Sequence, residues 1–176
     1  MRRAMALFTS LAVLLLLFAC DTGFGVDLQL FTQTFNDAAQ GRTHLDVTQF
    51  TVQETDTGLT YTAFVGNNEL ITVTALSSGR IHTVSVVGMP DAYQRDFFAT
   101  ALQLLYAFAQ MEGAAAERML QEIHVGVLPV LGMFTLEQDG FRLSYAANEA
   151  GRYFRLSCLR HLPPEVELPT LRERIE

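Results

Sequence analysis

Leu28, Phe31, Phe35 and Ala38 or Ala39 recur at the three- and four-residue spacing of one helix face. Asp27 can cap such a helix and Gly41 can stop it, which predicts a first helix over about 28–39. The period then falls to two. Leu45 and Val47 share one face while Phe50 and Val52 have the other parity, which predicts a bulge near Gln49. Leu59, Tyr61, Ala63 and Val65 alternate, and Gly66-Asn67-Asn68 is a hairpin signal. "ELITVTAL" follows, then the turn Ser77-Ser78-Gly79, then "RIHTVSVVG". Four short strands joined by tight turns predict an antiparallel meander, with one face on the core and the other open to water.

Pro90-Asp91 is expected to open the longest helix, because proline suits a first turn where its missing N–H has no partner. In "FFATALQLLYAFAQM" the polar Thr100, Gln103 and Gln110 share one narrow stripe, and apolar residues cover most of the remainder. A helix this apolar is expected to be buried on more than one side, between the sheet and another helix. Glu112-Gly113 is expected to break it, and "AAAERMLQEI" resumes helix until Gly126 and Pro129. "VLGMFTLEQ", Asp139-Gly140 and "FRLSYAA" form a second hairpin, with Asp-Gly the favoured type I′ pair. Asn148 to Gly151 then turns into "RYFRLSCLRHL".

The order is helix, four strands, one or two helices, three strands. The predicted class is α+β: a meander of about four strands and a later three-stranded meander, packed on two or three helices. It can be written as two helix-then-meander halves without any residue-level repeat. Whether the strands close into one sheet or two is left open. The domain is expected over 27–162, with a tether at 20–26 and a proline- and charge-rich tail at 163–176 expected to be exposed.

The first residues read differently. Arg2 and Arg3 precede an apolar run from Ala4 to Ala19, interrupted only by Thr9 and Ser10. A short positive start, an apolar stretch and a small residue before the cut describe a secretory signal peptide over 1–19, cleaved between Ala19 and Cys20. Leu17-Phe18-Ala19-Cys20 resembles the lipobox of bacterial lipoproteins. That resemblance, confined to residues 1–20, implies acylation of Cys20 and attachment to the membrane without a spanning helix. Two or more acyl chains hold a protein stably at a bilayer. Asp21 resembles the inner-membrane retention signal of enteric lipoproteins, so the expected location is the bacterial envelope, on the periplasmic side of the inner membrane.

Charge narrows the partners. Without its first 19 residues the chain keeps 157, loses two arginines, and its formal charge falls from −7 to −9. It contains no lysine, which excludes a lysine Schiff base or general base. So acidic a chain lacks the basic footprint that nucleic acid requires. Once Cys20 is acylated, Cys158 is the only thiol and is expected to be buried. The histidines His44, His82, His124 and His161 have no metal-site spacing, and neither metal nor cofactor is expected. No nucleophile elbow, phosphate-binding glycine loop or dinucleotide fingerprint occurs.

The acidic pairs Glu54 and Asp56, Glu117 and Glu122, and Glu165 and Glu167 are expected to be solvated. Were the chain catalytic, His82, His124 and Cys158 would be the first residues to replace. Arg152 and Arg155, with Arg142 on the neighbouring strand, are expected to form a basic row facing an anion or an acidic partner. The expected function is therefore non-enzymatic: a lipid-anchored binding or assembly-accessory module with a protein partner. The alternative is a carrier of a lipid or small apolar ligand, held against the sheet by the helix at 97–111.

Overall fold

The computed structural model describes residues 26–39, 44–56, 58–66, 68–89, 94–111, 113–125 and 133–159. The expected leader, Cys20, the opening Pro90-Asp91 and the tail lie outside these residues.

Helix α1 spans Leu28–Ala38. The Asp27 carboxylate caps it by accepting from the Leu30 N–H at 2.8 Å, and Phe31 and Phe35 are wholly buried. The bulge expected near Gln49 is a 3₁₀ turn instead, Val47–Gln49. Asp46 accepts from the Thr48 N–H at 2.8 Å, and Gln49 reaches back to the Asp46 N–H. A side chain that captures the backbone this way competes with the strand ladder. Pairing therefore starts only at Thr51, opposite Thr62.

The strands are β1 (Thr51–Thr55), β2 (Gly58–Val65), β3 (Glu69–Leu76), β4 (Ile81–Gly88), β5 (Met133–Gln138), β6 (Phe141–Asn148) and β7 (Gly151–Cys158). All join one antiparallel sheet in the order β1-β2-β3-β4-β7-β6-β5. The two meanders meet through their last strands, with Val84 opposite Leu156 and Val86 opposite Phe154. Asp139 and Gly140 both have positive φ, 53° and 84°, as the type I′ hairpin demands. A register shift between β3 and β4 leaves His82 as the extra residue, with Thr74 opposite Thr83 and Ala75 opposite Ile81.

Helices α2 (Gln94–Ala109) and α3 (Gly113–Glu122) complete the layer with α1. Helix α2 packs on α1, α3, β4 and β7, so it is covered on more than one side, as its composition predicts. Gln110 takes a left-handed φ of 51° and ends it. The fold is α+β. Its core is dense with aromatic rings: Phe31, Phe35, Phe97, Phe108, Tyr145 and Phe154 are each under 2% exposed.

Candidate functional site

Alternation along each strand sorts the sheet into two faces, and the register fixes which residues stand side by side. The helix-facing side carries Ala63, Ile71, Val86, Phe154 and Tyr145 in one cross-strand row, and Tyr61, Val73, Val84, Leu156 and Leu143 in the next. Among the described residues no helix lies on the other side. That open face is banded across the strands, and its middle, at Thr83, Ser144 and Ser157, is itself buried.

The first band is apolar. Phe64, Leu70, Val87, Tyr153, Ala146 and Met133 stand side by side from β2 to β5. Phe64 and Met133, at its two ends, are 59% and 61% exposed. The second band is hydroxylic: Thr62, Thr72 and Ser85 lead to Arg155, then Ser144 and Thr135. The third runs Thr60, Thr74, Thr83, Ser157, Arg142 and Glu137.

Arg155 and Arg142 stand on either side of Ser157. Arg155 Nε donates to Ser157 Oγ at 3.2 Å, and Arg142 is its ladder neighbour. Arg142 Nε also donates to Glu137 Oε1 at 2.7 Å. Thr83 Oγ1 donates to the same Ser157 oxygen at 3.2 Å. Among the described residues Glu137 is the only carboxylate on these bands, so Arg155 is left as their uncompensated charge.

The expected basic row of three is therefore corrected to two. Arg152 and Arg155 are three residues apart on β7, and an odd separation puts side chains on opposite faces. Arg152 stands on the helix side, opposite Gly88 and Ala147, and is only 8% exposed. Arg142 and Arg155 share the open face.

Sequence reasoning missed a buried polar cluster on the helix side. Glu69 has the parity of Ile71, Val73 and Ala75, which is the signal that could have revealed it. Its Oε2 accepts from Thr100 Oγ1 at 2.5 Å, while Oε1 is buried without a hydrogen-bond partner. Burial pushes the Glu69 carboxyl above its ordinary pKa. The Thr100 bond opposes that shift, and the nearby Asp96 charge adds to it. Of the polar stripe expected on α2, Thr100 and Gln103 are buried, while Gln110 lies past the helix end and is exposed.

The remaining candidates are dispersed. His82 is buried with Nδ1 3.0 Å from Thr83 Oγ1, His124 lies against the Phe134 ring, and His44 is exposed. Cys158 is a buried free thiol, as expected. Glu54, Asp56, Glu117 and Glu122 are exposed. His161, Glu165, Glu167 and Cys20 lie outside the described residues. Among those residues no three His, Cys, Asp or Glu side chains gather as metal ligands. No described helix is long and apolar enough to cross a membrane.

A cleft of about 390 Å³ opens between the three helices, lined by Asp37, Ala39, Leu102, Gln103, Tyr106 and Glu117 among others. Compared with family models, with curated proteins and with solved structures, the chain matches none.

Proposed function

We propose that this chain is a non-enzymatic binding module of the bacterial envelope, held at the membrane by lipid on Cys20, and that the open sheet face is its binding surface. The observation that carries the reading is the one-sided helix layer. It leaves a sheet face with no described helix over it, carrying an apolar band whose ends, Phe64 and Met133, are exposed, two hydroxyl bands and the Arg142–Arg155 pair. Loops usually carry function in enzymes. Here the organised chemistry lies on a sheet face, a surface suited to docking.

The anchor and the face are tested together on membrane-extracted protein. Intact mass should equal residues 20–176 plus acyl chains, and Cys20→Ser should abolish that species. A photo-crosslinking residue at Thr72 should capture protein, whereas one at Glu122 on the helix side should not. An unlipidated chain sinks the anchor. Equal yields at both positions sink the face.

The carrier alternative is favoured by the cleft between the helices, whose 390 Å³ falls within the roughly 300–1,000 Å³ of small-ligand sites. It does not lie where the sequence places it. The phenylalanines expected to line a cavity against the sheet pack on one another, as with Phe108 and Phe141 at 6.1 Å. Replacing Ala116, buried in the cleft wall, by Leu should displace a co-purified ligand if this reading holds.

A further inference from the structure

We infer that the open face holds a phosphate group between Arg155 and Arg142. This rests on the open face being the binding surface, and not on the lipid anchor.

The first ground is charge. Arg155 donates through Nε to Ser157 Oγ at 3.2 Å, and no described carboxylate pairs with it. That bond uses Nε alone. The forked N–H groups of both terminal nitrogens have no protein acceptor among the described residues. Arg142 stands opposite Ser157 and Arg155 opposite Ser144, so the two arginines are diagonal neighbours on β6 and β7. Such neighbours lie about 7–8 Å apart at Cα. Two guanidinium groups this close repel each other, and one anion between them turns repulsion into attraction. Glu137 engages Arg142 from β5, the strand on the side away from β7.

The second ground is the hydroxyl set around Arg155. Ser85 and Ser144 flank it on the two adjoining strands. Ser157 Oγ accepts from both Arg155 and Thr83, so its own hydrogen remains to be donated, and no described residue accepts it. Thr83 is held in turn, its Oγ1 3.0 Å from His82 Nδ1. Thr83, Ser144 and Ser157 are buried while both arginines are half-buried. The buried middle of the face is thus the floor of a small site, and it fixes Arg155 before any ligand arrives.

The third ground is the number of donors. A carboxylate has two oxygens, which one guanidinium fork can fill. A second arginine and hydroxyls on both adjoining strands suit an anion with more oxygens and more charge. A phosphate group has both. The remaining carboxylates of this acidic chain do not cancel the pair at contact, since salt screens charges beyond about 8 Å at physiological strength.

The full chain is extracted in non-ionic detergent, and its melting temperature is followed as probe is added. The probes are inorganic phosphate and phosphatidic acid, with diacylglycerol as the phosphate-free control. The expected result is a rise with phosphatidic acid, with inorganic phosphate, or with both. Arg155→Gln should weaken the apparent affinity at least about tenfold. Arg155→Lys keeps the charge, loses the fork and should fall in between, with circular dichroism unchanged. Arg118→Gln removes the same charge from an exposed site on α3 and should bind as wild type. A rise with both probes assigns a free anion, and a rise with phosphatidic acid alone assigns a lipid headgroup. No rise with either probe, an equal rise with diacylglycerol, or an equal loss in Arg118→Gln overturns the proposal. If crosslinking still differs between Thr72 and Glu122, the open face then stands without a phosphate site. If it does not, both readings fall.

Discussion

Thr100 on α2 donates its hydroxyl hydrogen to Glu69 on β3, Oγ1 to Oε2 at 2.5 Å, joining the helix layer to the sheet through a carboxyl that is 5% exposed. The bond satisfies one oxygen of a group that burial makes reluctant to ionise. Thr100→Val keeps the shape and removes the donor, and should cost about 1–3 kcal/mol of unfolding free energy in urea.

Glu69 also gives stability a pH dependence. Its folded pKa is raised, so the folded chain holds this proton after the unfolded chain has released it. Its contribution is fully present below the unfolded pKa and is lost as pH climbs through the folded one. Glu69→Gln removes the titration. Between about pH 4 and about pH 8, the wild type should lose more stability than the variant by urea unfolding. Equal losses would show that the carboxyl titrates as if in water.

Asn36 pins the chain that follows α1. Its amide donates to the Leu45 carbonyl and accepts the Leu45 N–H, both at 2.7 Å. Asn36→Ala abandons both backbone groups next to a buried Leu45 and should cost about 1–3 kcal/mol. Faster amide exchange at Leu45, with β6 protection unchanged, would localise the loss.

Thr72 and Val73 are neighbours in sequence on opposite faces of β3. Val73 is wholly buried, and Val73→Thr puts a hydroxyl into apolar packing at a cost of about 1–3 kcal/mol. Thr72→Val faces outward and should stay within about 0.5 kcal/mol of wild type. Melting curves of the two variants would test the register directly, since a one-residue slip would exchange their effects.

Gly151 starts β7 with φ 144°, and a methyl group there would run into the Gly88 carbonyl oxygen. Gly151→Ala should cost about 1–3 kcal/mol from the backbone alone, with the clash added. The effect should appear as a lower melting temperature with loosened β4–β7 pairing in hydrogen exchange.

The elements follow from local chemistry. Asp27 caps α1, Asp139-Gly140 makes the type I′ turn, and period-two runs mark β2, β3, β4, β6 and β7. The separation of Arg152 from Arg155 was legible too, because alternation needs only a count along one strand. The bulge expected near Gln49 failed for a local reason: Asp46 and Gln49 capture the backbone before the ladder can.

What the sequence alone determined is thus the local set: caps, turns, periods, and the parity that makes Glu69 a core-side residue. Tertiary structure decided the rest. The pairing of β4 with β7 closes strands about seventy residues apart into one sheet, a long-range choice that local propensity does not encode. Thr100 of α2 points inward onto Glu69 of β3, a partner 31 positions away. The bands on the open face exist only once six strands take one register, since each strand contributes a single residue to each band.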